Sequence, residues 1–128
     1  MILGLGSDLC NIERIQRSLD RFGARFEARV FTEVERARAQ RRVLTRAGTY
    51  AKRFAAKEAF SKAIGLGLRG PMTLLSLEVL NDARGQPQAR PRKALAPWLA
   101  ERGWRAHVSI SDEVDAALAF VVIEQERD

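Results

Sequence analysis

Apolar positions change their period several times along the 128-residue chain. Ile2 to Leu9 alternates, with Gly4, Gly6 and Asp8 on one side and Leu3, Leu5 and Ser7 on the other, which predicts a short strand. Glycines on one face leave room for something to approach the backbone. From Ile12 to about Arg29 the period becomes helical, with Asn11 as the cap and an interruption at Gly23. Ile15, Leu19, Phe22 and Phe26 fall within an arc of roughly 60° and predict the buried stripe. Arg14, Arg17, Arg21 and Arg25 gather roughly 80° to 160° round from that stripe, and Glu13, Asp20 and Glu27 lie on the opposite flank.

Thr32 followed by Glu35 is a capping box, predicting a second helix over about Glu33 to Arg42. After a break near Leu44 to Gly48, an alanine-rich third helix covers about Gly48 to Ile64 and stops at Gly65-Leu66-Gly67-Leu68-Arg69-Gly70-Pro71. Thr73 to Leu80 alternates as a strand, and Asn81 to Gly85 turns it toward an extended Gln86 to Arg90. Pro91 opens a helix through about Arg102, bent or shortened at Pro97, with Leu95, Trp98 and Leu99 on its apolar side. Strands at Trp104 to Ser111 and Ala116 to Glu124 close the chain. In the first of these, His107, Ser109 and Ser111 share one face. Helices mixed with hairpins predict an α+β fold.

This length predicts one domain over residues 1–128, and 46% hydrophobic with 30% charged residues fits a globular chain rather than a disordered one. The formal charge of +6 is unevenly placed. Residues 1–53 carry 12 basic and 6 acidic side chains, whereas residues 54–128 carry 10 of each. Arg supplies 18 of the 22 basic side chains, and its planar fork suits carboxylates and phosphates. An acidic partner is therefore expected. The single Cys10 excludes an internal disulfide and reads as a small packed hydrophobe; no Cys/His cluster has zinc spacing. No apolar run reaches membrane-spanning length and no signal peptide is visible, so a cytoplasmic protein is expected.

Two carboxylates invite a chemical reading. Asp8 ends a glycine-bearing strand, where it can cap the next helix or hold a hard cation. Glu58 can pair with Lys62 four residues on, yet on a helical projection it sits among Ala51, Phe54 and Ala55, which would desolvate it unless a cation met it. Two carboxylates with oxygen-only ligation suit Mg²⁺, with Lys57 and Lys62 adding positive charge near the same phosphates. His107, the only histidine, lies on a face polar enough for phosphate contacts or serves the structure alone.

Gly6-Ser7-Asp8 and, about fifty residues later, Phe54-Ala55-Ala56-Lys57-Glu58-Ala59-Phe60-Ser61-Lys62 together resemble the signature of 4′-phosphopantetheinyl transferases, with the spacing of the family's short bacterial members. The likeness runs along nearly the whole chain. It takes in the Arg-rich first helix, Arg29-Val30-Phe31-Thr32, Gly85-Gln86-Pro87 and His107-Val108-Ser109-Ile110-Ser111. Asp112 departs from it, standing where many relatives have a second histidine.

The resemblance implies a trimer with sites between subunits, an antiparallel sheet packed with helices, and transfer of the phosphopantetheine arm of coenzyme A to a serine of apo-acyl carrier protein in fatty acid biosynthesis. It implies that Asp8 and Glu58 hold Mg²⁺, that Lys62 and His107 lie near the phosphates, and that Gly65 ends the helix beside the ligand. It places Arg46 and Arg53 toward the nucleotide, and Arg14, Arg17, Arg21 and Arg25 on a ridge docking the acidic carrier. Neither nucleic acid nor membrane is then a partner. The acceptor of the serine proton stays open among Glu58, directly or through water, a metal-bound hydroxide and an acidic group of the carrier. Two rivals share the charge pattern: a nucleic-acid-binding module, binding salt-sensitively without Mg²⁺, and a noncatalytic adaptor for an acidic protein.

Overall fold

A computed structural model describes residues 1–126. Strand β1 (Ile2–Asn11) leads into helix α1 (Ile12–Phe22), and after Gly23 into α2 (Ala24–Val30) and α3 (Glu33–Gln40). A 3₁₀ turn at Val43–Thr45 precedes the long helix α4 (Arg46–Ala63). Then follow a 3₁₀ turn at Leu74–Ser76, strands β2 (Leu77–Asn81) and β3 (Pro87–Pro91), helix α5 (Leu95–Arg102), and strands β4 (Trp104–Asp112) and β5 (Ala116–Gln125). All strand pairs are antiparallel: β1-β5-β4 form one sheet and β2-β3 a hairpin. The α+β class and antiparallel sheet agree with the sequence reading.

Helix α4 lies across the inner face of the larger sheet, and β1 explains how it comes so close. A Cβ on Gly4 would stand 1.9 Å from the carbonyl oxygen of Ala63, and one on Gly6 would stand 2.0 Å from that of Ala59. The glycine face of β1 therefore admits a helix backbone of the same chain, with alanines facing it. Ala55, Ala59, Val121 and Ile123 are buried in that layer. Asp8 shares the inner side of β1 with these glycines, so the close approach brings it to α4.

The predicted caps are present: the Asn11 side chain accepts from the Arg14 N–H at 3.2 Å, and Thr32 and Glu35 close their reciprocal box. Other expectations need correction. Gly23 has φ +53° and ends α1, so the expected stripe is interrupted. Ile15 and Leu19 are buried and Phe26 is partly so, but Phe22 is 51% exposed. Helix α2 starts a new phase, which turns Glu27 inward against Gln40 and Arg46 rather than onto a solvated flank. It also puts Arg25 on a different helix from Arg14, Arg17 and Arg21. The strand expected from Thr73 begins only at Leu77, because Thr73 and Ser76 close a short 3₁₀ turn. Pro91 ends β3; α5 starts later, with Pro97 in its first turn, where a missing N–H removes no helical bond.

Candidate active site

On α4, residue 58 projects toward β1 while residue 57 points away from it. Glu58 is partly buried, and burial, followed by the neighbouring negative charge of Asp8, raises its carboxyl pKa above the ordinary range; Arg14 and Lys62 oppose the shift. Lys62 donates to Asp8 Oδ1 at 2.8 Å and to the Ser7 carbonyl at 3.1 Å. Lys62 thus pairs with Asp8, in keeping with the argument against an ordinary helix-surface pair with Glu58. Asp8 does not cap α1, a role taken by Asn11. Two adjacent carboxylates that burden each other electrostatically suit a hard cation, which relieves repulsion and desolvation together. Among the described residues, no group of three or more His, Cys, Asp or Glu offers a denser ligand set.

Arg14 belongs to this corner as well as to the surface ridge. Its guanidinium carbon lies 5.8 Å from the centre of the Phe54 ring, and its charge acts on Glu58 and Cys10. The sequence reading placed Arg14 on the ridge alone; its position three residues after the cap, one turn above the end of β1, carries that second role. Arg17, Arg21 and Arg25 are exposed. Cys10 is buried, and burial pushes its thiol up to about 11, which leaves it a packed hydrophobe rather than a nucleophile.

Lys57 does not reach this corner. It is fully buried on the far side of α4, donating to Val30 O, Glu35 Oε1 and Leu74 O, each at 2.7 Å. One residue along a helix is a rotation of about 100°, so two adjacent charged residues of one motif serve opposite sides. Gly65 follows the end of α4 with φ +80°, and a Cβ there would meet nothing within 4 Å. Its backbone conformation, not lack of space, calls for glycine.

Toward the other end of α4 lies a cavity of about 620 Å³ whose lining includes Arg38, Arg41, Arg42, Lys52, Arg53 and Asn81. Arg53 is only 3% exposed; it donates to Asn81 Oδ1 at 2.6 Å, and its buried Nε has no partner. Burial and the nearby Arg38 both work against its charge. Arg46, which the resemblance places toward the nucleotide with Arg53, lies 3.8 Å from Glu27 of α2. The sequence reading did not single out Arg38, Arg41 and Arg42 as a site; the approach of α3 to α4 makes them one wall.

His107 is not brought to Asp8 and Glu58 within the chain. It lies on the outer face of the sheet with Ser109 and Ser111, while Asp8 and Glu58 lie on the inner side, against α4. Its Nε2 is 2.7 Å from Glu124 Oε1. That outer face is also apolar: Leu5 is 65%, Leu9 66% and Phe120 45% exposed.

A sequence model described as the 4′-phosphopantetheinyl transferase superfamily matches residues 4–121. The chain is 57% identical to the holo-[acyl-carrier-protein] synthase of Erythrobacter litoralis, over 99% of both proteins. Its fold is similar to the crystal structure of holo-[acyl-carrier-protein] synthase from Neisseria meningitidis, with a TM-score of 0.91, 41% identity, and 98% of this chain and 100% of that one covered. It is also similar to a Bacillus anthracis holo-(acyl-carrier-protein) synthase in complex with CoA (3′,5′-ADP), at a TM-score of 0.84 and 36% identity over 98% and 99% of the two chains. Carrying the Gly-Ser-Asp and Lys-Glu-Ala patterns on the strand and helix that bring Asp8 to Glu58, and matched along nearly its whole length, the chain belongs to the 4′-phosphopantetheinyl transferase superfamily.

Proposed function

We propose that the protein transfers the 4′-phosphopantetheine group of coenzyme A to a serine hydroxyl of apo-acyl carrier protein, releasing adenosine 3′,5′-bisphosphate, in fatty acid biosynthesis. The carrying observation is the Asp8–Glu58 carboxylate pair with Lys62 beside it, in a chain similar throughout to holo-acyl-carrier-protein synthases. Asp8 and Glu58 hold Mg²⁺, which when bound supplies charge neutralisation at the pyrophosphate. Lys62, already at the mouth of the pair, adds a mobile positive charge for the phosphates. Glu58 takes the serine proton, directly or through water. Attack at phosphorus asks mainly for alignment and charge stabilisation, which these residues provide without covalent catalysis. Incubation with coenzyme A, Mg²⁺ and apo-carrier protein, followed by mass measurement of the carrier, tests the reading. A phosphopantetheine mass gain is expected, and its absence would remove the enzymatic function.

The nucleotide end of coenzyme A is assigned to the basic cavity around Arg53, and His107 to its phosphates. With His107 and Asp8 on opposite sides of the sheet, a complete site needs a second copy of the chain. The apolar outer face supports a homotrimer with shared sites. Co-expressed Asp8→Ala and His107→Ala chains are then expected to show activity well above that of either alone. Mixed assemblies as inactive as the parents would count against sharing.

Docking of the acidic carrier falls to the exposed Arg14, Arg17 and Arg21 of α1, with Arg25 following on α2. Arg17→Glu with Arg21→Glu is expected to raise KM for carrier protein at least tenfold while sparing coenzyme A binding. Equal loss for both substrates would sink the docking role. The same result bears on the rivals, since salt-sensitive nucleic-acid binding without Mg²⁺ would leave the carboxylate pair without a task.

A further inference from the structure

The bond between His107 and Glu124 constrains which atom of the imidazole can meet a ligand. A carboxylate bears lone pairs only, so at 2.7 Å from Glu124 Oε1 the His107 Nε2 must donate. Glu124 is held below the ordinary carboxylate range by this bond and so remains an acceptor. Nδ1 is the nitrogen left for anything else. Neutral His107 with its proton on Nε2 presents a lone pair at Nδ1, which faces a phosphate oxygen lone pair to lone pair. Only the imidazolium offers an Nδ1–H as well.

The surroundings leave this choice to Glu124. Helix α4 crosses the inner face of the sheet, and α5 approaches that side through Trp98 against Trp104. β3 flanks the edge of β4, and its one cation, Arg90, is paired with Glu78. Among the described residues, the charged groups on the outer side include Arg105 on β4 and the Met1 amino group, both of which act on Glu124, and Glu126, which lines the same hollow as Glu124. Val122, directly across from His107, is apolar, and Ser109 is neutral.

We propose that Glu124 is a positioning residue: by occupying Nε2 of His107, it makes the histidine bind the phosphates of coenzyme A only in its doubly protonated form. The inference rests on the reading of His107 as a phosphate contact. Binding of the substrate is then coupled to uptake of a proton, and Glu124→Gln uncouples it. A glutamine can donate its N–H to Nε2, leaving the neutral ring with its proton on Nδ1, where the phosphate needs it.

The test measures KM for coenzyme A, separately from kcat, between pH 6 and 8 in the unmodified protein and in Glu124→Gln. The second phosphate ionisation of the substrate, near pH 6, affects both alike and drops out of the comparison. KM of the unmodified protein is expected to rise about tenfold more over this range than that of Glu124→Gln, because only the unmodified protein must take up a proton to present an N–H to the phosphate. Calorimetric titration with adenosine 3′,5′-bisphosphate at pH 8, in two buffers of different protonation enthalpy, is expected to show about one more proton taken up by the unmodified protein. Coincident pH slopes and equal proton uptake would overturn the role of Glu124. His107→Ala separates the two levels: a raised KM with coincident slopes removes Glu124 alone, whereas an unchanged KM at pH 6 removes the phosphate contact on which it rests.

Discussion

Glu58→Gln and Asp8→Asn are each expected to lower kcat/KM about a thousand-fold, the scale on which loss of a principal electrostatic group acts in a preorganised site. Glu58→Gln is also expected to raise the melting temperature in chelator at neutral pH. In the folded protein Glu58 is raised above its unfolded value by burial and by Asp8, so the folded state binds the proton more tightly. Its contribution to stability is therefore fully present below the unfolded pKa and is lost as pH rises through the folded one. At neutral pH an ionised Glu58 opposes folding, and an amide in its place does not. Adding Mg²⁺ should raise the melting temperature of the unmodified protein and shift that of either variant much less. A variant that keeps its activity, or responds to Mg²⁺ as the parent does, would remove the metal assignment. Loss of activity with gain of stability separates this outcome from a protein that has simply unfolded.

Lys57→Met is expected to destabilise the fold by about 3–5 kcal/mol, as breaking a buried pair leaves the remaining charge uncompensated. Lys57 and Glu35 are both without side-chain exposure, 2.7 Å apart. The other oxygen of Glu35 accepts from the Val79 N–H at 2.8 Å, while Oε1 also closes the Thr32 box. One lysine thus ties α4 to the end of α2, the start of α3 and the turn before β2. Because domains of this kind are stable by only about 5–15 kcal/mol, urea denaturation should show a midpoint shift comparable to a large part of the total. Adding Glu35→Gln to the variant is expected to recover part of the loss: the orphan charge is gone and the single amide oxygen keeps an acceptor for one of the two backbone N–H groups, although the amide NH2 then faces the other. Full additivity of the two changes would refute the coupling.

Local chemistry made several elements readable before any tertiary contact was known. Asn11 and the Thr32–Glu35 pair satisfy helix N–H groups within a few residues of themselves, so their bonds depend little on distant structure. The alternation of β1, β4 and β5 likewise reflects a period intrinsic to strands. Phe22 and Glu27 were misplaced because a helical projection assumes one axis, and Gly23 ends that axis. The 3.8 Å approach of Arg46 to Glu27 was likewise hidden from the sequence, because it depends on how α2 turns after Gly23.

The candidate site divides in the same way. Sequence by itself determined the cap-defined helices and the Arg-rich side of α1, because each is written in residue type and spacing over a few turns, whereas Gly6-Ser7-Asp8 and Lys57-Glu58-Ala59 were joined by resemblance to the family's signature. Only the tertiary structure decided that Gly4 and Gly6 exist to admit the backbone of α4, and so to bring Asp8 to Glu58. It alone sent Lys57 into the core, joined Arg14 to the carboxylate corner, and put His107 on the opposite side of the sheet. The physical reason is that hydrogen bonds and periodicity act within a few residues, whereas charge, burial and steric approach depend on distance through space.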